Sequence, residues 1–318
     1  MRTFGLADGA DGADGADGAD GADGASGAGA VSAAKSPIIR PIGVSPALEK
    51  RPNEDWFRGN KWPPADLLAP FQNTTAATFP LWAWSAFHFS IVALGEFVQI
   101  AGWDGFDLQA AAPIPTGAAL KAELDELQEL VDYRPGVLSE AVAQRNNFTV
   151  YWCGLLMFNK ASHPATYRLA QIALRVAQFQ AMHYKNYPGT NAAPLKPRPR
   201  PSQISPSLMP PVDVPGHASY PSGHATEAYL LSGILAKVMP PEAYKETEVG
   251  NPDSTPLRRL AERVARNREV LGLHYPSDSK AGKFLADQSL GLLTQCKSVA
   301  TLIPIAKKEW KNDQESVI

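Results

Sequence analysis

Three short stretches in the C-terminal half carry side chains whose types and spacing could do chemistry. The first is Tyr220-Pro221-Ser222-Gly223-His224-Ala225-Thr226, with a helical pattern starting at once behind it. The first amides of a helix have no internal partner and point outward, so they favour an anion. Ser222 adds a hydroxyl, and Gly223 adds an amide and lets the backbone approach a ligand closely. His224 sets an imidazole, able to move protons, at the same mouth. Alone, the stretch reads as an ordinary capped helix with a surface histidine.

The second stretch is Arg268-Glu-Val-Leu-Gly-Leu-His274-Tyr-Pro-Ser-Asp278. Arg268 falls in the last turns of a helix whose apolar side is marked by Leu260, Val264 and Leu271. Pro276 forbids a smooth continuation and starts a new helix, so His274 lies at a corner between helices. Asp278, in the first turn of the next helix, is close enough to accept a hydrogen bond from the His274 ring. A carboxylate on one ring nitrogen sets the tautomer and leaves the other a better nucleophile or ligand. A helix-capping Asp beside a packed His is the plain alternative. The third stretch is Lys196-Pro-Arg198-Pro-Arg200-Pro201, where prolines hold the chain extended and guanidinium groups suit tetrahedral oxyanions. By itself it reads more readily as a solvated basic linker.

Taken in order, the pieces resemble the superfamily of type-2 phosphatidic acid phosphatases, bacterial acid phosphatases and vanadium-dependent haloperoxidases. Its signature runs K-x(6)-R-P, then P-S-G-H, then S-R-x(5)-H-x(3)-D. The counterparts are Arg200-Pro201, Pro221-Ser222-Gly223-His224 and Arg268, His274 and Asp278, over roughly residues 165–292. Asn267 stands where the superfamily has Ser, and Ala193 stands at the Lys spacing. Lys185, at a helix end, is the expected counterpart of that Lys, with an insertion between it and Arg200; Lys196 and Arg198 are the substitutes.

The resemblance implies an all-α helical bundle of the acid phosphatase/haloperoxidase type, and phosphomonoester hydrolysis through a phosphohistidine. His274 would be the nucleophile, oriented by Asp278. His224 would protonate the leaving oxygen and later activate water. Lys185, Arg200, Ser222, Gly223 and Arg268 would bind the oxyanion, with no cofactor. The alternative it implies is a haloperoxidase in which vanadate is the cofactor, His274 binds vanadium, and halide is oxidised by hydrogen peroxide. His217 favours that alternative, because the algal bromoperoxidases of the superfamily have a His seven residues before the Pro-Ser-Gly-His histidine. A helical protein that binds an oxyanion without catalysis is the third reading. The partners expected are a small phosphoester, or peroxide plus halide, with a homo-oligomer left open.

The elements that must position these residues read as helices. Leu120, Leu124, Leu127, Leu130 and Val131 recur at threes and fours between charged residues. Pro135 and Gly136 break that helix, and others are predicted over 137–158, 165–184, 225–238 and 256–271, with a last one from about Ser277. No strand pattern appears. Residues 7–25 repeat Ala, Asp and Gly in threes, too polar and small to fold. The division expected is a disordered tail and linker over 1–50, helical parts over 51–160 and 161–300, and a tail over 301–318.

The chain has 318 residues, a formal charge of −2 and 44% hydrophobic residues, enough for a core and without the charge that draws nucleic acid. Cys153 and Cys296 have no metal or disulfide spacing and read as reduced, buried thiols. Residues 80–103 are the most apolar stretch, but Glu96 within it favours a core helix over a membrane span. No signal peptide is recognised, so a cytoplasmic location is expected. Of the remaining histidines, His88 reads as a core residue, His163 as a helix start, and His183 belongs to no motif.

Overall fold

The computed structural model describes residues 84–186 and 196–311, and those from 85 onward belong to one compact unit. The expectations for the repeat, the linker and the residues up to 83, and for positions 187–195 and 312–318, lie outside the described residues. Those described are all-α, with no strand among them.

Helices α1 (Ala86–Phe97), α2 (Leu108–Ala111), α3 (Gly117–Leu130), α4 (Arg134–Asn147) and α5 (Thr149–Leu156) precede the long α6 (Pro164–Asn186). Then come a short α7 (Pro201–Ile204), α8 (Gly223–Ala236), a short α9 (Pro241–Tyr244), α10 (Pro256–Val270), α11 (Pro276–Leu293) and α12 (Lys297–Glu309). Helix α8 is the axis of the bundle. All its residues but Gly233 and Ala236 are buried, most of them apolar, with His224, Thr226, Glu227 and Ser232 among them. Its main neighbours are α11, α6 and α10. The α8–α11 approach depends on Gly282, where a Cβ would stand 2.6 Å from the Ser222 carbonyl oxygen and 2.9 Å from Ala225 Cβ.

Helix α10 stops where the sequence has Gly272. That glycine adopts φ +73°, its N–H donates to Glu269 O, and Leu273 N donates to Arg268 O. This paired closure of the last turn is the Schellman arrangement, for which glycine is the favoured residue. Arg134 completes it by donating from Nε to Val270 O at 2.8 Å. The chain then reverses through His274 and Tyr275 into α11, with Pro276 in its first turn.

Several expectations change. The predicted helix over 137–158 is two helices, α4 beginning at Arg134 and α5 beginning after Phe148; the break expected at Pro135 falls just before it, α3 ending at Leu130 and Pro135 standing in the first turn of α4. Asn147 at the junction is a weak helix former. Of the apolar stretch over 80–103, the described residues from 84 onward form a helix at Ala86–Phe97, with Phe89, Ala93 and Phe97 buried but Ile91 47% and Val92 41% exposed. Glu96 accepts from Ser298 N and Oγ, both at 2.8 Å, and so caps α12. His88 is exposed, not core: it lies in the first turn of α1, with Nδ1 2.7 Å from Ser85 Oγ. Among the described residues no single helix is long and apolar enough to cross a membrane; α11 with α12, bent by 90°, pass by length and composition only as a pair.

Residues 301–309, expected as tail, belong to α12, which buries Val299, Leu302 and Ala306. Its last residue, Glu309, accepts from Ala165 N at 2.7 Å and Thr166 N at 2.9 Å, capping α6. The Trp310 ring covers His163 at 4.1 Å just ahead of that helix. Cys296 is buried and Cys153 partly so; both are free thiols, and burial pushes Cys296 up to about 11.

Candidate oxyanion site

Asp278 organises the site. It lies in the first turn of α11, where a carboxylate is favoured by the free amides of the helix start, and it is fully buried. Its Oδ2 is 3.2 Å from His274 Nδ1 and 3.0 Å from Tyr275 N, and it also accepts from Ser219 Oγ. Its Oδ1 accepts from Arg198 Nη1 at 2.7 Å. Burial by itself pushes this carboxyl upward, but the His274 hydrogen bond, the Arg198 charge and the Ser219 hydroxyl together hold it well below the usual carboxylate range. The Asp278 main chain also serves. Its carbonyl accepts from Ser222 N at 3.0 Å, so one residue ties the second motif to the first.

His274 has no exposed surface. Its Nε2 lies 3.1 Å from Arg200 Nη1. A guanidinium can only donate, so Nε2 accepts, and Nδ1 carries the proton given to Asp278. That is the tautomer in which the lone pair points away from the carboxylate. Arg200, 1% exposed, also donates to Leu273 O at 3.0 Å, to His217 O at 3.1 Å and to His217 Nδ1 at 3.0 Å. His217 thus stands on the far side of Arg200 from His274.

Lys185 is buried at the end of α6 and donates from Nζ to Ala218 O at 2.8 Å and Ser219 O at 3.3 Å. These are backbone carbonyls of the segment that delivers Ser219 to Asp278. Lys196 is exposed. Ser222 caps α8, accepting from Ala225 N at 3.4 Å, and Gly223 and His224 open the helix in full burial. The His224 ring lies 5.8 Å from that of Phe148. Arg268, 1% exposed, donates from Nη2 to Ala141 O in α4, and its carbonyl closes the turn that carries His274. Asn267 donates to Gln144 Oε1 at 2.8 Å, so it joins α10 to α4. His183, half-buried, packs on Trp103 at 4.8 Å, and burial lowers its pKa.

Four residues at the site are not among those the superfamily signature specifies: Arg198 and Ser277 inside the quoted stretches, and Ser219 and Glu123 outside them. Arg198 is 5% exposed, donates to Asp278 and to Ser277 Oγ at 2.7 Å, and lies 3.6 Å over the Tyr275 ring. Its Nη2 donates to Glu123 Oε2 at 2.9 Å. Ser219 and Ser277 complete the set. The proline spacing offered Arg198 as a candidate cation. Glu123, one of several carboxylates on a helix remote in sequence, gave no such signal.

A groove of about 690 Å³ opens elsewhere, along the outer face of α10, with Arg259, Arg263, Arg266, Glu262, Glu126 and Lys280 among its walls. Most of its guanidinium groups are paired with carboxylates, as Arg266 is with Glu126 and Arg263 with Glu140. That pairing leaves little charge there for an anionic ligand.

Searches of protein-family models and of curated proteins return no match to the chain.

Proposed function

We propose that the protein is a phosphohydrolase of the acid phosphatase/haloperoxidase bundle type, cleaving a phosphomonoester through a phosphohistidine on His274. The observation that carries this reading is the line Asp278–His274–Arg200. One ring nitrogen is held by a buried carboxylate, and the lone pair of the other faces a guanidinium. An imidazole so held is a nucleophile set beside an oxyanion donor. In the first step His274 Nε2 forms a bond to phosphorus, the ester P–O bond breaks, and His224 gives the leaving oxygen a proton. In the second, His224 takes a proton from water, the oxygen attacks phosphorus, and the N–P bond breaks, returning His274 and phosphate. Arg200, Arg268, the Gly223 amide and Ser222 neutralise the equatorial oxygens, with Lys185 behind the same segment, as charge stabilisation requires in phosphoryl transfer. Arg200 Nη1 passes from His274 Nε2 to a phosphoryl oxygen as the substrate enters.

The test is hydrolysis of a chromogenic phosphomonoester by the wild type, His224→Ala and His274→Ala. Both variants lose several orders of magnitude in kcat. An ester with a very good leaving group partly rescues His224→Ala and does not rescue His274→Ala. A trapped phosphoenzyme forms in the wild type or His224→Ala and never in His274→Ala.

His217 against Arg200 supports a second reading, a vanadium-dependent haloperoxidase. His274, Arg200, Arg268 and the Gly223 amide would hold vanadate, an oxyanion that the same donors fit. Bound there, it would supply activation of hydrogen peroxide for halide oxidation. Bromide oxidation after loading with vanadate, with no phosphoester hydrolysis, selects this reading. A chain that does neither, and binds phosphate equally well without either histidine, is not an enzyme of this kind.

A further inference from the structure

We infer that Glu123 and Arg198 are positioning residues for the His274–Asp278 pair, an inference that rests on the function proposed above for its catalytic consequence. Arg198 and Arg200 are two apart in a proline-held extended segment, and both are buried while Pro197 and Pro199 between and before them are exposed. Arg200 serves His274, and Arg198 serves Asp278. Arg198 divides its fork between two carboxylates, Nη1 to Asp278 Oδ1 at 2.7 Å and Nη2 to Glu123 Oε2 at 2.9 Å. Its plane is also held against the Tyr275 ring.

Glu123 comes from α3, in the N-terminal part of the folded unit, and its side chain is 13% exposed. It accepts from Ser277 N at 2.7 Å and Ser277 Oγ at 2.9 Å, as well as from Arg198. It therefore holds the first turn of α11 and the guanidinium together. Two consequences follow. The Asp278 carboxylate is fixed in rotation, with Oδ1 on Arg198 and Oδ2 left for His274 Nδ1. The Arg198 charge is shared, so Asp278 is not fully neutralised and keeps its pull on the Nδ1 proton. Outer partners of this kind orient a reacting imidazole without touching the substrate.

The test uses Glu123→Gln, nearly isosteric but with one acceptor oxygen and no charge, and Arg198→Lys, which keeps the charge and loses the fork. Glu126→Gln, on the same helix but paired with Arg266, is the control. The expected result is a fall in kcat of about 10- to 100-fold for both test variants, with KM little changed and the control at wild-type rate. The ¹H shift of the His274 Nδ1–H, far downfield while it is bonded to the Asp278 carboxylate, should move upfield in both test variants. An unmoved shift in both overturns the inference, whatever their kcat, because any loss of rate is then structural. A moved shift that leaves the kcat of an active enzyme unaltered overturns it as well. The ring spectrum needs no turnover, so it decides the positioning claim even if the wild type hydrolyses no phosphoester. Should Glu123→Gln fail to fold by circular dichroism, Arg198→Lys carries the same test.

Discussion

The outer face of α10 and the buried cage beneath its C-terminal end use the same chemistry to different ends. On the outside, Arg259 pairs with Glu248 and Glu262 and Arg266 with Glu126, and all of these side chains are 42–57% exposed. Water and salt screen such pairs, and each contributes about 0–1 kcal/mol. In the cage, the side chain of Arg198 is 4% and that of Asp278 0% exposed, and every oxygen of Asp278 is engaged. There the pairing adds little net stability over a packed apolar group, but loss of one partner strands a charge. Exposure, more than the number of ion pairs, decides where charge can be held in a fixed orientation and made to act.

The strongest break of that contrast is Asp278→Asn. It leaves Arg198 short of a partner in full burial, and about 3–5 kcal/mol should be lost in chemical denaturation. The acid limb of stability changes with it. The Asp278 pKa is depressed in the folded state, so its contribution is fully present above the ordinary carboxylate value of about 4 and is lost as pH falls through the lowered value. The wild type should lose stability over that range, and Asp278→Asn should show a shallower slope.

Next come the two lysines. Lys185→Ala removes a buried ammonium from two carbonyls and should cost about 1.5–3 kcal/mol, lowering activity with it. Lys196→Ala, on an exposed residue, should stay within about 0.5 kcal/mol in the same thermal denaturation series. Equal effects would remove the distinction between them. Gly282→Ala tests the backbone on which the cage rests. The new methyl meets the Ser222 carbonyl, so a loss of about 1–3 kcal/mol is expected, with weaker phosphate binding if the Ser222–His224 turn is displaced. Arg263→Ala, 64% exposed, sets the lower end: a change below about 1 kcal/mol that shrinks further in high salt.

Much of this site was legible because its parts are local. Gly272, His274, Pro276 and Asp278 specify a helix stop, a corner and a helix start within seven residues, and the His–Asp contact follows from that spacing. Ser222 ahead of Gly223 likewise announces the start of α8. His88 was misread for the converse reason: an apolar neighbourhood in sequence does not say which side of α1 faces the core. The role of Glu96, two hundred residues from the amide it caps, had no local sign at all.

Periodicity, proline and glycine by themselves determined that the described chain is helical, where α3, α6, α8, α10 and α11 run, and that His274 and Asp278 meet. Backbone preference and short-range hydrogen bonds act over a few residues, so the order of residue types is enough. Only the tertiary structure decided that Arg198 reaches Asp278, that Arg200 lies between His217 and His274, that Lys185 holds the Ala218–Ser219 carbonyls, and that Glu123 closes the network. Those contacts join groups 17 to 154 residues apart, and which of many similar charges meet is settled by helix packing and by the need to pair every charge that packing buries.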